Sequence, residues 1–257
     1  MNPNALLVSY VTITRKEIVR MFRVWSQTLL PPVITMSLYF VVFGQFIGSQ
    51  IPKIGEYSYM QFIVPGLVMM SVITSSFSHT VSSFYMAKFQ RNLEEILVSP
   101  TPYYIVIGGF VTGGVLRGLL VGSIVLTISL LFTNIVVQSL GMTVLFVFLT
   151  AVLFSLAGLI NGVLANSFDG ISLVPTFVLT PLTYLGGVFY SIHSLPEFWQ
   201  KISLFNPILY MVNGFRYGFL GVSDVNILSA VAILVSCSIG FFWFAGFLFR
   251  TGKGLKN

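Results

Sequence analysis

Charge is what this sequence has least of. Only 8% of its 257 residues are Asp, Glu, Lys or Arg, while 56% are hydrophobic and the mean hydropathy is +0.93. A soluble domain carries about 25% charged residues. So little polar surface excludes a cytosolic enzyme, a secreted module or a disordered protein, and leaves a bilayer as the solvent. Cysteine is almost missing as well: Cys237 stands alone, which excludes an internal disulfide and a cysteine-rich metal cluster. The two histidines and seven acids form no Ser/His/Asp set, no metal-spaced cluster and no carboxylate pair inside an apolar run. A nucleotide loop is absent too. Gly252 and Lys253 are followed by Gly254 rather than Ser or Thr, and Phe247 stands where a P-loop needs its first glycine. The net charge of +6 is too small and too scattered for a nucleic-acid surface. The chain therefore reads as no enzyme, with no cofactor of its own and no nucleic-acid partner.

What is there is apolar length. A helix needs about 20 apolar residues to cross a bilayer, and six stretches qualify: about 27–47, 60–84, 105–132, 140–164, 171–190 and 227–249. The pattern predicts an all-α polytopic membrane protein with six transmembrane helices, a transmembrane domain over 27–249 and a basic tail over 250–257. Pro31 and Pro32 fall near the start of the first stretch, where missing backbone donors do least harm. Residues 1–26 have a different pattern. Leu7, Val11, Ile18, Phe22 and Trp25 share one helical face, opposite Lys16, Arg20 and Arg23. That is an amphipathic helix lying in the membrane interface, its basic side toward anionic headgroups. Its four cations and its lack of a small-residue cleavage site set it apart from a signal peptide.

An even number of crossings puts both ends on one side, and Lys and Arg say which. Arg15, Lys16, Arg20, Arg23, Lys88, Arg91, Arg250, Lys253 and Lys256 make nine on one side, against Lys53, Lys201 and Arg216 on the other. Both termini are expected in the cytoplasm. Two connections exceed what a turn requires. The cytoplasmic one, 85–104, sets Phe89, Leu93, Ile96 and Leu97 against Lys88, Arg91, Glu94 and Glu95, and breaks at Pro100 and Pro102. The outer one, 191–226, holds apolar pieces at 195–205 and 208–220, divided at Asn206 and Pro207. Neither piece is long enough to cross, so both read as re-entrant or interfacial helices that protein must cover.

Ionisable residues inside a membrane are functional suspects by default. Arg117 either snorkels to the interface from the third stretch or faces a lumen. His79 sits among Thr74, Ser75, Ser76, Ser78 and Thr80, either packed or lining a polar cavity; Thr180 and Tyr184 of the fifth stretch complete the candidate pathway. Asp169 reads as a helix cap. The scarcity of buried acids argues against ion-driven transport. Gly114, Gly118 and Gly122, with Gly158 and Gly162, line up small residues for close helix packing within the subunit.

The run from Arg91 to Pro100 (RNLEEILVSP) resembles the coupling-helix segment of ABC-2-type transporter permeases. The run from Tyr184 to Phe189 (YLGGVF), followed by Pro196, Asn206, Pro207, Tyr210, Arg216 and Gly221, resembles that family's exit from the fifth span and its outer re-entrant motif. The order and spacing of these motifs across six spans strengthen the likeness. One departure is Asn92, where the family often has glycine. The resemblance implies a homodimer of six-span subunits in a bacterial inner membrane, bound to two copies of a separately encoded ATPase that holds the ATP and Mg. Lys88, Arg91, Glu94, Glu95 and Pro100 would then couple to that ATPase, driving export of an amphipathic or lipid-like substrate. The competing readings are an ATP-independent carrier or channel and a non-transporting assembly factor.

Overall fold

The computed structural model describes residues 3–48, 50–51, 53–54, 56–134 and 137–255; Lys256, counted above with the tail, lies outside them. Every extended element among the described residues is helical, and a lone antiparallel bridge joins Ile54 to Tyr57. In chain order the helices are α1 (Pro3–Arg23), α2 (Trp25–Tyr39, continuing as a π-helix through Phe40–Ile47), α3 (Tyr59–Phe89), α4 (Asn92–Val98), α5 (Tyr103–Ser129) and α6 (Leu140–Leu164). There follow α7 (Phe168–Val174), a π-helical Pro175–Leu179, α8 (Thr180–Tyr184), α9 (Glu197–Leu204), α10 (Pro207–Leu220) and α11 (Ile227–Thr251).

The starts and stops have local causes. Ser58 and Gln61 form a reciprocal capping box that opens α3. The Asn226 side chain accepts from the backbone of Leu228 and Ser229 to open α11. Asn206 caps α10, Pro207 fills its first turn, and Gly221 closes it at φ 69°, a conformation suited to glycine. Asp169 was expected to cap a helix. That cap is instead Ser167, whose hydroxyl accepts from the Gly170 backbone at 3.0 Å, and Asp169 sits in the first turn of α7.

Helix α3 is the axle. It is buried along most of its length, with α5 and α6 packed closely against it. The glycines make this approach possible. Gly114 faces Thr80 and Ser155, Gly118 faces Ser76, Gly122 faces Val72, and Gly158 faces the backbone carbonyl of Phe77. These are contacts inside the subunit, as the spacing predicts. Phe62, Leu67, Phe77 and Phe146 anchor one part of the core, and Phe84, Phe110 and Leu159 the other.

Two expectations need correction. Among the described residues five helices are long and apolar enough to cross a membrane: 25–47, 59–89, 103–129, 140–164 and 227–251. The expected span at 171–190 is instead a shorter helical run, 168–184, whose α-helical ends are separated by a π-helical stretch that begins at Pro175, with Pro181 in the first turn of α8. Proline removes a backbone donor and cannot hold a regular helix there. The run still travels far. At one end the Ala165 carbonyl accepts from Lys88 Nζ at 2.9 Å; at the other the Phe189 carbonyl accepts from the Tyr59 hydroxyl at 3.2 Å. Residues 165–189 therefore pass from one end of α3 to the other.

The second correction concerns α1. It has three faces rather than two. Ile13, Glu17 and Met21 form a buried stripe, with Ile13 against Gly109 and Glu17 against Gly113 of α5. Leu7, Val11, Phe22 and Trp25 are left exposed, and the basic residues run along the remaining face.

Candidate coupling and pathway sites

At the Lys88 end of α3 the chain turns sharply into α4. The turn is made by Arg91, the one described non-glycine residue with positive φ (60°), so the bend falls on the arginine itself and Asn92 already belongs to α4. Leu93 is buried and fixes α4 to the bundle, while Glu94, Glu95 and Leu97 stay exposed, Val98 at 87%. A groove of about 410 Å³ opens beside it, lined by Arg91, Glu94, Leu97, Val98 and Leu255. An exposed acidic helix with uncovered apolar residues, rigidly seated, is built like a docking element. Lys88 differs from its expected companions. Its ammonium turns inward and donates to the carbonyls of Val163 (3.1 Å) and Ala165 (2.9 Å), closing the end of α6. Pro100 lies exposed between α4 and α5.

The pathway candidates divide into two groups. Thr74, Ser78 and Thr180 are exposed and line one groove of about 220 Å³ with Met70, Pro175 and Leu179, between α3 and the 168–184 run. Between its ends, where Gln61 and Phe89 are also open, α3 leaves Met70, Thr74, Ser78, Ser82 and Met86 uncovered, four apart, as one stripe. Ser75 and His79 are buried within the subunit and do not join it. Tyr184 sits half-exposed at the top of α8, stacked on Phe189, and its carbonyl accepts from the Tyr190 hydroxyl at 2.6 Å.

His79 meets a residue that sequence reasoning missed. Its Nε2 lies 3.2 Å from the Glu17 carboxylate of α1, both fully shielded from solvent. The approach is not aligned as a hydrogen bond, and neither carboxylate oxygen finds a donor among the described residues. Gly113 makes room for the pair, since a Cβ there would lie 2.6 Å from Glu17 Cβ. Arg20 stands nearby; burial pushes its guanidinium below the ordinary arginine value, and Glu17 opposes that shift. Acids are scarce inside the apolar region, and Glu17 is the exception, buried between His79 and the nearby Arg20. A cheap signal existed: Glu17 is the sole acid before Glu56, four residues from both Ile13 and Met21.

Arg117 is tied to a neighbouring helix. Its Nη2 donates to the Thr28 carbonyl of α2 at 3.3 Å. Pro32 explains why. Four residues after Thr28, it has no N–H to satisfy that carbonyl within the helix. The arginine of a neighbouring helix supplies the missing donor.

At the Tyr59 end, the outer motif is a buried polar lock. Arg216 was counted as a loop cation, yet it is among the most buried side chains in the protein. Its Nη2 donates to the Gly187 carbonyl at 2.6 Å and its guanidinium lies 3.9 Å from the centre of the Phe62 ring. Burial pushes its pKa down to about 10, with Asp224 opposing. Asp224 accepts from Ser191 Oγ and the Ile192 backbone, and its own N–H donates to Asn213. Asn206 donates to the Leu182 carbonyl at 2.6 Å, and the Tyr210 hydroxyl donates to the Leu204 carbonyl at 2.8 Å. Pro196 opens α9 on the exposed side of this assembly. Asn213 and Asp224 were not foreseen, though Asn213 and Arg216 stand three apart on one helix face.

Long apolar helices around a central axle, a short exposed helix at one end and a polar lock at the other make a polytopic membrane protein. The chain belongs to the ABC-2 type transporter family, whose model matches residues 8–220. Among its relatives, the Inner membrane transport permease YadH of Escherichia coli strain K12 is 57% identical over 250 residues, covering 97% of this chain and 98% of that protein. Nodulation protein J of Rhizobium leguminosarum bv. trifolii is 22% identical over 228 residues, covering 88% of this chain and 87% of its own.

Proposed function

We propose that this chain is the membrane subunit of an ATP-binding-cassette exporter of the inner membrane, a homodimer driven by two copies of a separate ATPase that binds the ATP and Mg. The observation that carries the reading is α4. It is the exposed acidic helix fixed by Leu93 to the end of α3, and α3 touches nearly every part of the bundle. A push on α4 would reach α3 directly. Family membership supports an ATPase partner, and a location in the inner membrane is what the YadH relative's name states of that protein. Six crossings are supported by the course of residues 165–189 along the full length of α3, which makes the 168–184 run the fifth crossing. Helices α9 and α10 would then dip into the outer leaflet without crossing, covered by the Arg216 lock. The hydroxyl stripe at Thr74 and Ser78, beside Met70 and Leu179, suits an amphipathic or lipid-like substrate, with the second subunit closing the path.

A charge reversal tests the coupling. If Glu94 and Glu95 were plain solvated surface, changes there would be nearly neutral, within about 0.5 kcal/mol. Facing a basic cleft, Glu94→Lys with Glu95→Lys replaces attraction by repulsion, which costs several kcal/mol. The double variant is expected to insert normally, to lose the ATPase on co-purification from membranes, and to stop transporting. Full recovery of the ATPase with intact transport would place coupling elsewhere. One observation favours a second reading, an ATP-independent carrier: the buried Glu17 and His79 are the kind of pair that can carry a proton. That reading requires transport to continue when the ATPase is removed.

A further inference from the structure

Helix α1 and the Lys88 end of α3 form the two walls of an open groove of about 610 Å³, within the usual size of a small-molecule site. The α1 wall carries Arg15, Lys16, Arg20 and Arg23, and no Asp or Glu among the described residues lines the groove. Arg20 also faces Glu17, which leaves Arg15, Lys16 and Arg23 with no carboxylate partner given by the structure. Between the cations lie the apolar Val19 of α1 and Met86 of α3, with Thr12, Ser83 and Gln90 as polar lining. Leu7 and Phe22 of α1, and Trp25 at the start of α2, are uncovered by protein.

We propose that this groove binds one anionic diacyl phospholipid, its phosphate held by Arg15, Lys16 and Arg23 and the upper part of one acyl chain laid against Val19 and Met86. The charges select an anion. Val19, Met86 and the uncovered aromatics select hydrocarbon: an acidic segment of a soluble protein would leave Phe22 and Trp25 in water, whereas a lipid continues into the bilayer those residues already face. A lipid seated there touches α1 and α3 together, so it braces the same pair of helices that Glu17 and His79 join from inside. The groove reaches Gln90 and Asn92 at the start of α4, so it adjoins the helix proposed for ATPase docking, and lipid binding is read on the permease alone.

The test is lipid retention by the full-length permease in mild detergent, read by native mass spectrometry after exchange with phosphatidylglycerol or phosphatidylethanolamine. Each basic residue near an anionic surface contributes about fivefold to binding. Arg15→Ala with Arg23→Ala is therefore expected to lower phosphatidylglycerol retention roughly twenty-five-fold, and Arg15→Lys with Arg23→Lys to restore it. Val19→Trp, which keeps every charge but fills the groove, is expected to lower retention as well. Arg250→Ala with Lys253→Ala removes the same charge from the tail and should change nothing. Equal retention of phosphatidylethanolamine, or equal loss from the tail variant, would overturn the proposal as plain surface attraction. Complete displacement by millimolar inorganic phosphate would show an anion site and not a lipid site. Release of the lipid when the ATPase binds would assign the groove to the protein partner.

Discussion

Arg117 and Glu17 show how single residues are spent in a membrane protein. Arg117 satisfies a group that a neighbouring helix leaves bare, and Glu17 is buried against His79 of another helix. For Arg117 that group is the Thr28 carbonyl, orphaned because Pro32 cannot donate to it. An unsatisfied buried carbonyl costs about 1–3 kcal/mol, so Arg117→Met should lower the stability of the purified permease by about that amount. Pro32→Ala restores the missing N–H. In that background the same Arg117→Met change should do much less harm, as a double-mutant cycle on thermal unfolding would reveal. This logic was only half legible in the sequence. Pro32 and Arg117 were both conspicuous, but the bond from Arg117 to Thr28, 89 positions away, depends on how α2 crosses α5. Glu17 was hidden for another reason. Hydropathy assigns a charged residue on an amphipathic helix to the water side, and only tertiary packing against Gly113 reverses that.

At the scale of elements, apolar length is a strong signal and broken helices are a weak one. The stretches at 60–84 and 140–164 lie on α3 and α6 because long apolar runs, the first opened by the Ser58–Gln61 capping box, leave little choice. The run at 168–184 was blurred because a π-helical stretch from Pro175 separates α-helical ends that apolarity alone joins up. The glycine spacing, by contrast, translated directly into contacts. At Gly158 an added Cβ would lie 2.5 Å from the Phe77 carbonyl oxygen, a backbone atom that cannot step aside. Gly158→Ala should therefore destabilise the bundle by about 1–3 kcal/mol, as overpacked cores do. Gly240 on α11 has nothing within 4 Å of such a Cβ, and Gly240→Ala should be nearly neutral. Thermal unfolding of the two variants in detergent compares them directly. The pathway face also shifts at this scale. Ser75 is buried inside the subunit, so a cysteine meant to meet its symmetry mate belongs at Thr74 or Ser78 on the open stripe of α3.

For the whole molecule, the account joins an exposed acidic helix at one end of α3 to a locked, buried arginine at the other. It places these ends on opposite sides of the membrane. With Cys237→Ser as background, a cysteine at His193 should react with an impermeant thiol reagent in intact cells, and one at Lys253 only after permeabilisation. Both reacting from the same side would contradict six crossings. The overall class was readable from composition, because so few charges leave no other solvent. Which end meets a partner was readable only through resemblance, since exposed acids and apolar residues on a short helix gain meaning from how rigidly α4 is seated. The central claim is that this helix carries the force of an ATPase. Photo-cross-linking from a benzoylphenylalanine at Leu97 in native membranes tests it most directly. The predicted adduct is a protein containing a P-loop, lost in the Glu94→Lys, Glu95→Lys background; an adduct with a P-loop protein from Phe198 at the other end of the molecule, and none from Leu97, would contradict it.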